Sequence, residues 1–428
     1  MQMSIFNQLK QQLSKQLIES GTHFGLMEYQ AEVALSEENI ALLSWLKAQN
    51  HYPHFFWQAR ETDQTIASIG AVRSFFSVDE AQQFVKQTQF GLVGGVRFEG
   101  GCQFILPRLL LVKNQQNLTA YFYLNEAELA QQAVIFERFF ANFCQTLPLE
   151  LTENNLLAQT SVYDFDGWQQ NIERAISHIQ QKDFNKVVLA NAKTLQFENE
   201  LSAYDLLAAS QTTNLGCYHF IWAENVESAF VGSSPERLYH RKGNQFHTEA
   251  LAGTAPVTES MVQTELNAQW LLTDPKNIYE NQLVVDDIQA QLTDCVTELQ
   301  ISQAEIKRLH NVQHLRRKIS AVLKPEMSDA DCLARMHPTA AVAGLPRQAA
   351  KQFIAEYEQF TRCWYAGTLG YLQPDEAEFC VALRSAQIER NRITLYAGAG
   401  IVEESEPQSE WQEIERKSLA LAKLLKVD

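Results

Sequence analysis

The stretch Leu395-Tyr-Ala-Gly398-Ala-Gly400-Ile-Val402 is an apolar, strand-like run that is interrupted by glycines. Glycines let the backbone approach a ligand closely and offer N–H groups to an anion. Shortly after it, Glu410, Glu413 and Lys417 stand at i, i+3 and i+7, which places their side chains on one helix face. Carboxylates and an ammonium beside a glycine turn suit a divalent cation and a carboxylate substrate. A solvated acidic helix start is the alternative, and this stretch alone favours it.

Composition narrows the class of protein. The 428 residues are 46% hydrophobic and 20% charged, which is typical of a globular protein with ample core material. The formal net charge of −16 argues against nucleic acid or an anionic membrane as the main partner, because both require a basic surface. A small anionic substrate needs only a few well-placed cations and remains compatible with this charge.

Cysteine usage and apolar runs bear on the cellular location. The 7 cysteines are scattered without a C-x-x-C pair, which predicts neither a zinc knuckle nor a disulfide framework. The sequence has no targeting signal and no run of about 18 apolar residues. We therefore expect a reduced, cytoplasmic protein that does not span a membrane.

Periodicity predicts a mixture of helices and strands. Helical spacing occurs at 4–19, 127–144 and 262–291, and a break is expected at Asp274-Pro275 within the last of these. Apolar strand-like runs lie between the helices without alternating with them regularly. The pattern therefore favours an α+β fold over a doubly wound one. A polar, irregular stretch at 150–163 is the candidate seam between two parts of the chain.

Two positions are candidates for acid–base chemistry. Lys186 begins the apolar run Lys186-Val-Val-Leu-Ala190, where loss of hydration makes a lysine usable as a base. An edge lysine that reaches solvent is the alternative. Glu236 follows the tight turn Gly232-Ser-Ser-Pro, and a carboxyl held there inside a pocket can act as a general acid. An exposed Glu–Arg pair, which adds little stability, is the alternative.

Further positions suit ligand binding. Lys276 and Glu280 stand at i, i+4 and form either a surface salt bridge or a site in which Glu280 binds Mg²⁺ together with Glu413, since Mg²⁺ usually takes one or two protein carboxylates. His337 and Thr339 lie in a loop marked by proline and glycine, for which a structural turn is the favoured interpretation. Arg384 stands in an apolar strand, where it needs either a structural carboxylate or a ligand anion.

Several familiar motifs are absent or incomplete. The sequence contains neither G-x-x-x-x-G-K-[ST] nor G-x-G-x-x-G. His310 and His314 stand at i, i+4 but outside an H-E-x-x-H motif. We interpret them as part of a polar helix face rather than as zinc ligands.

Taken together, these segments resemble the chorismate-utilising enzymes. The shared motifs occur in family order over residues 165–425. They are Lys186-Val-Val-Leu-Ala190, Gly232-Ser-Ser-Pro-Glu-Arg237, Leu251-Ala-Gly-Thr254, Lys276-x-x-x-Glu280, His337-Pro-Thr339, Tyr365-Ala-Gly367, Leu383-Arg-Ser-Ala386, Gly398-Ala-Gly-Ile-Val402 and Glu410-x-x-Glu413-x-x-x-Lys417. Within the family, the N-terminal part looks like the isochorismate synthases of the menaquinone pathway through Phe55-Phe-Trp-Gln-Ala-Arg60, Ala67-Ser-Ile-Gly-Ala71 and Leu106-Pro-Arg108.

The resemblance implies the reversible conversion of chorismate to isochorismate. Lys186 would be the base that activates water for attack at C2, and Glu236 would be the acid that protonates the departing C4 hydroxyl. Glu280 and Glu413 would bind Mg²⁺, with Glu410 supporting the ion through water. The positions implied to contact the substrate are Thr254, His337, Thr339, Tyr365, Arg384, Gly398, Gly400 and Lys417.

The implied fold is one large α+β unit in which antiparallel sheets stack around the site with helices on the outside. We expect a strand-rich N-terminal part, 1–155, and a chorismate-binding catalytic region, 156–428, within that unit. Asn277 and Asn281 stand where the family often has an acidic residue and a histidine. The change at Asn277 removes one carboxylate from the neighbourhood of the metal.

Other members of the family are alternatives. A salicylate synthase shares Lys186 and Glu236 and goes on to eliminate pyruvate from isochorismate. A component of anthranilate or aminodeoxychorismate synthase is a further alternative, although anthranilate synthases usually lack the lysine at 186. We expect no obligatory amidotransferase subunit. A catalytically inactive binding protein that kept the fold would turn over no substrate at all.

Overall fold

The computed structural model of this chain describes residues 4–19, 25–35 and 40–426. Within these residues, 20 strands join into one sheet whose strand pairs are all antiparallel. The strands are β1 (Met27–Ala34), β2 (His54–Gln58), β3 (Thr65–Phe75), β4 (Leu92–Val96), β5 (Cys102–Lys113), β6 (Asn117–Leu124), β7 (Leu156–Ser161), β8 (Lys186–Phe197), β9 (Tyr218–Ala223), β10 (Ser228–Ser234), β11 (Arg237–Lys242), β12 (Gln245–Pro256), β13 (Val296–Ile301), β14 (Glu305–Arg308), β15 (Val312–Leu323), β16 (Gly344–Leu345), β17 (Thr368–Leu372), β18 (Glu376–Val381), β19 (Ser385–Glu389) and β20 (Arg392–Ile401).

Helices lie between these strands. They are α1 (Ile5–Glu19), α2 (Leu42–Lys47), α3 (Val78–Thr88), α4 (Gln132–Phe139), α5 (Phe165–Gln180), α6 (Ala203–Thr213), α7 (Met261–Thr273), α8 (Pro275–Leu292), α9 (Asp329–Met336), α10 (Arg347–Tyr357) and α11 (Pro407–Ala422), with short 3₁₀ helices at Glu126–Gln131 and Lys423–Leu425. Together with the antiparallel sheet they confirm the predicted α+β class.

The sheet branches at β5, which pairs with β3, β4 and β6. The first arm runs from β3 through β2, β9, β10, β19 and β20 to β8. The second arm runs from β4 through β17, β18, β11 and β12 to β15. Strands from before residue 150 are therefore hydrogen-bonded to strands of the C-terminal part in both arms.

Side chains that alternate between the two faces of each strand form two separate hydrophobic layers. In β2, Phe55 and Trp57 belong to the core cluster that lies between the two arms. Phe56 points to the opposite face, where a second cluster contains Leu9 of α1 and Leu206 of α6. Trp57 contacts Tyr371 of the second arm with 5.3 Å between ring centroids. The arms thus pack face to face, and helices cover the outer face of the first arm.

The expected break in the long helical run is confirmed. Asp274 ends α7 and caps α8, with its carboxylate accepting the N–H of Asn277. Pro275 occupies the first position of α8, where its missing N–H costs nothing. Two other boundaries differ from expectation. The helical pattern of 127–144 gives only α4 after a 3₁₀ turn, and the irregular seam at 150–163 contains β7, which pairs with β8.

No helix in the described part of the chain combines the length and the apolar character needed to cross a membrane.

Candidate active site

A pocket of about 750 Å³, counting the space at its mouth, is lined by residues of both arms and of helices α8 and α11. Most of the residues that the sequence singled out line it. These are Glu236, Thr254, Glu280, Tyr365, Arg384, Gly398, Gly400, Glu413 and Lys417.

Lys186 is not among the residues that line the pocket; it lies at the start of β8, behind the lining residue Glu280, and its side chain is fully buried. Its Nζ is 2.9 Å from Oε1 of Glu280, which α8 supplies. The distance is that of an ion pair, but the angles are not those of a hydrogen bond, and Nζ has no hydrogen-bond partner among the described residues. The amine therefore keeps hydrogen-bonding capacity for a further molecule.

The two glycines of β20 are explained by close approach. A Cβ on Gly400 would overlap Oε1 of Glu280 and lie 2.8 Å from Cε of Lys186. A Cβ on Gly398 would lie 2.8 Å from Oη of Tyr365. The bare backbone of β20 thus makes room for the Lys186–Glu280 pair and for the tyrosine hydroxyl.

Helix α11 brings a second lysine–carboxylate pair into the pocket. Nζ of Lys417 is 2.7 Å from Oε1 of Glu413 and donates to the carbonyl of Gly398 at 2.9 Å. Burial opposes ionisation of Glu413, but the positive charges of Lys417 and Lys276 outweigh it and lower the pKa of this carboxyl. Glu413 is therefore anionic at neutral pH.

Glu410 is one helical turn away from Glu413 and is not a lining residue. Its carboxylate accepts from Nζ of Lys276 at 2.7 Å, so Lys276 pairs with Glu410 and not with Glu280, its i+4 neighbour. Burial and the charge of Glu413 raise the pKa of Glu410. Among the described residues, no three His, Cys, Asp or Glu side chains form a ready metal site. Glu280 and Glu413 both line the pocket, however, and two carboxylates suit Mg²⁺.

Glu236 sits on the turn between β10 and β11, and only 3% of its surface is exposed. Burial raises its pKa to about 8, and the charge of Glu249 adds to this effect. The turn is held by Ser234, whose Oγ accepts the N–H of Glu236 at 3.2 Å, and by the N–H of Val381, which donates to the carbonyl of Glu236 at 3.1 Å. Glu236 is thus a neutral, fixed carboxylic acid that can donate a proton.

Arg384 is buried and has a left-handed backbone conformation, with φ of +47°. Its Nη2 is 3.3 Å from Nε2 of His314, and its Nη1 has no hydrogen-bond partner among the described residues. Burial lowers the pKa of the guanidinium. No carboxylate of the described chain pairs with Arg384, so the structural ion pair that the sequence left open is not formed. A buried, unpaired Nη1 is suited to a ligand anion.

His314 lines the pocket, and the interpretation as a helix face is wrong. The residue lies in β15, because Val312–Leu323 pairs with β12 along its length and this pairing overrides a spacing of two histidines. Burial and the charge of Arg384 hold the pKa of His314 well below its usual range. Since arginine only donates, Nε2 must accept and Nδ1 carries the proton, 3.2 Å from Oγ1 of Thr254. The apolar run Ile319-Ser-Ala-Val-Leu323 was the available signal for this strand, although Arg316, Arg317 and Lys318 separate it from His314.

His337 and Thr339 do not line the pocket. Nε2 of His337 is 3.2 Å from the carbonyl of Arg97, and burial lowers the pKa of the imidazole to about 4. The carbonyl of Thr339 accepts the N–H groups of Val342 and Ala343. Val342 itself lines the pocket, so this loop shapes the site from behind.

The two asparagines that depart from the family pattern join α8 to the sheet. Nδ2 of Asn281 donates to the carbonyls of Ala252 and Leu315, each at 3.2 Å. Oδ1 of Asn277 accepts the N–H of Thr254 at 3.2 Å. Both side chains therefore tie the helix that carries Glu280 to the strands that line the pocket.

Comparisons with known proteins find similarity over most of the chain. A sequence model of the chorismate binding enzyme family matches residues 97–426. Isochorismate synthase MenF of Pasteurella multocida is 45% identical over 394 residues, which cover 91% of this chain and 91% of that protein. Isochorismate synthase MenF of Haemophilus influenzae is 42% identical over 419 residues, covering 97% and 95%.

Solved structures show the same fold. MenF, the menaquinone-specific isochorismate synthase from Escherichia coli, matches with a TM-score of 0.90 at 39% identity, over 97% of this chain and 99% of that chain. Anthranilate synthase component I from Streptococcus pneumoniae matches with a TM-score of 0.68 at 20% identity, over 87% and 91%. The latter likeness concerns the fold alone.

Proposed function

Because the chain belongs to the chorismate-binding enzymes, we propose that it is an isochorismate synthase, an isomerase that converts chorismate to isochorismate for menaquinone biosynthesis. The observation that carries the proposal is a buried lysine, Lys186, in contact with the lining residue Glu280, together with a buried carboxylic acid of raised pKa, Glu236, that lines the same pocket. The full-length similarity to isochorismate synthases, including the N-terminal part, supports this branch of the family over the others.

The chemistry needs one base and one acid. The amine of Lys186 takes a proton from water as the water oxygen forms a bond to C2 of the ring. The ring double bond shifts, the C4–O bond breaks, and Glu236 supplies the proton with which the hydroxyl leaves as water. One water molecule is added at C2 and one is lost from C4. The reaction is therefore an isomerisation, and it runs in both directions.

The positive groups of the pocket suit a substrate with two carboxylates. The buried Nη1 of Arg384 is the best placed donor, since it has no partner among the described residues. Lys417, Tyr365 and Thr254 line the same space and complete a set of cationic and hydroxyl donors, with the backbone at Gly398 and Gly400 close by. His337 and Thr339 act in this scheme only through their loop.

We also propose Mg²⁺ as the cofactor, held by Glu280 and Glu413. The bound ion would fix the ring carboxylate of the substrate and offset its charge. Glu410 lies behind Glu413 in contact with Lys276 and would support the ion from there through water. In the described structure, Lys186 lies 2.9 Å from Glu280 and Lys417 lies 2.7 Å from Glu413, so each proposed ligand carboxylate has one lysine beside it.

We further propose that the enzyme is cytoplasmic. It would act on its small-molecule substrate without an amidotransferase subunit. All 7 cysteines are unpaired, which suits a reducing compartment.

The test is to incubate the purified protein with chorismate and Mg²⁺ and to follow products by proton NMR and by salicylate fluorescence. Isochorismate that reaches equilibrium with chorismate, without pyruvate, is the expected result. Salicylate together with pyruvate would identify a salicylate synthase instead, and no turnover would identify a binding protein. Lys186→Ala serves as the control, because it removes the base and keeps the carboxylic acid of Glu236 in place.

A further inference from the structure

We propose that the buried ion pair of Arg60 and Glu249 positions the general acid, and that the N-terminal part of the chain takes part in catalysis through this pair. The inference rests on the proposed role of Glu236. Arg60 follows β2 in the N-terminal part, whereas Glu249 lies in β12 of the second arm. Neither residue lines the pocket.

The ion pair of Arg60 and Glu249 is buried and bidentate. The side chains of Arg60 and Glu249 are each only 2% exposed. Nη2 of Arg60 donates to Oε2 of Glu249 at 2.9 Å, and Nη1 donates to Oε1. The guanidinium also lies over the ring of Tyr218, 5.3 Å from its centroid. This fork fixes both the distance and the orientation of the two groups.

The pair also holds the backbone on both sides of the acid. Nη1 of Arg60 donates to the carbonyl of Pro235, and Oε1 of Glu249 accepts the N–H of Arg237 at 2.9 Å. Pro235 and Arg237 directly precede and follow Glu236. A single ion pair thus clamps the two peptide groups that determine where the carboxylic acid points. Lys307 adds a second donor to Pro235, with Nζ 2.8 Å from the carbonyl.

Stability alone does not account for such a pair. Replacing a buried ion pair by apolar side chains of similar volume is often neutral or stabilising, whereas removing one partner is strongly destabilising. The contacts with Pro235 and Arg237 supply a reason for keeping it, because misplacing a catalytic group by about 1 Å can cost roughly 100-fold in rate.

Charge adds a second effect. Besides burial, the charge of Glu249 raises the pKa of Glu236, and the charges of Lys186, Lys417 and Arg60 lower it; Lys307 lies nearby, at the carbonyl of Pro235. The pair therefore contributes opposite charges next to the acid. Neutralising Glu249 alone should make Glu236 more acidic.

The decisive experiment compares the single variants with the double variant Arg60→Met/Glu249→Leu. Each single variant removes the closest partner of a buried charge, leaving Arg60 with only the half-exposed Glu61 or Glu249 with Arg316 at 3.7 Å, and should lower the melting temperature. The double variant removes both charges, and we expect a melting temperature near that of the wild type. Its KM for chorismate should stay within about threefold, whereas its kcat should fall by about 10- to 100-fold. Recovery of kcat together with the melting temperature would overturn the inference.

A matched control exists elsewhere in the chain. Arg241 and Asp329 form another buried ion pair, with Nη2 of the arginine 2.7 Å from Oδ2 of the aspartate, and neither residue lines the pocket. Arg241→Met/Asp329→Leu should leave kcat within about twofold of wild type. An equal loss of kcat in both double variants would assign the effect to general packing and overturn the inference.

Two conservative variants keep the test informative if the double variant does not fold. Arg60→Lys keeps the charge, but an ammonium cannot reproduce the fork, so kcat should fall while KM and the melting temperature change little. If only protonated Glu236 supports the reaction, kcat falls as the pH rises above the pKa of Glu236, and this fall is the alkaline limb of the kcat profile. Glu249→Gln should move the limb to lower pH, which a purely structural role would not do. Wild-type kcat in Arg60→Lys, or an unmoved limb in Glu249→Gln, would overturn the inference.

The failure of this inference can be told apart from the failure of the proposed function. Glu236→Gln must be inactive if Glu236 is the acid. An active Glu236→Gln variant would remove the role of Glu236 itself. An inactive Glu236→Gln variant beside a fully active Arg60→Met/Glu249→Leu variant would remove only the role of the ion pair.

Discussion

Replacing Glu236, the proposed general acid, should lower activity and raise thermal stability at the same time. Glu236→Gln keeps the size and the polarity of the side chain but removes the proton that the reaction needs. We expect this variant to lose isochorismate formation and, at neutral pH, to unfold at a higher temperature than the wild type. The reason is that the wild-type protein must bind a proton at Glu236 in order to bury it.

The magnitude follows from the raised pKa. The pKa of Glu236 is about 8 in the folded protein against its usual 4.5. At pH 7 the buried carboxyl is roughly 90% protonated, whereas a carboxyl with the usual pKa would be about 0.3% protonated. Holding that proton costs the folded state about 3 kcal/mol at pH 7. For a chain of this length, such a difference corresponds to a melting-temperature gain of about 3–4 °C in the glutamine variant.

The sign of the pH dependence makes the prediction specific. Because the folded pKa is raised, the stability linked to Glu236 is fully present below pH 4.5 and is lost as the pH rises through about 8. The advantage of Glu236→Gln should therefore be near zero at pH 4.5 and grow up to about pH 8. Kinetically, the forward kcat of the wild type should fall about tenfold per pH unit above pH 8, since only the protonated acid works.

The assay combines differential scanning calorimetry at pH 5, 7 and 8 with steady-state conversion of chorismate followed by NMR. An unchanged melting temperature at every pH would refute the burial argument. Retained turnover would refute the assignment of Glu236 as the acid.

Four further outcomes test other parts of the site. Lys186→Ala should abolish turnover and leave the circular dichroism spectrum unchanged, and full activity would remove the lysine from the mechanism. Gly400→Ala places a methyl group against Glu280 and Lys186, so kcat should fall by at least about tenfold in steady-state assays. A wild-type kcat would mean that the backbone of β20 shifts to make room for the methyl group. Arg384→Met should raise KM for chorismate by about 10- to 100-fold, the worth of one charged hydrogen bond, and an unchanged KM would exclude a carboxylate contact. Glu413→Gln should weaken Mg²⁺ binding in calorimetric titrations at constant pH, and an unchanged affinity would exclude it as a ligand.

Much of the site could be predicted because its motifs are local. The Gly-Ser-Ser-Pro turn before Glu236, the two glycines of β20 and the spacing of Glu413 and Lys417 on α11 each depend on a few adjacent residues. Their order along the chain pointed to the family, and the pocket brings them together. The α+β class followed in the same way from irregular alternation of helical and strand-like runs.

The sequence by itself determined most of the elements, the family and the chemical types of the site residues, because backbone propensity, capping and hydrophobic period act over short distances. Only the tertiary structure decided which charges meet. Lys276 pairs with Glu410 rather than with its helical neighbour Glu280, and His314 enters a strand because β12 pairs with it. The contact of Arg60 with Glu249 joins residues 189 positions apart, and Glu236 is buried at the turn between β10 of the first arm and β11 of the second. Such effects depend on distance and desolvation in space, which no local pattern encodes.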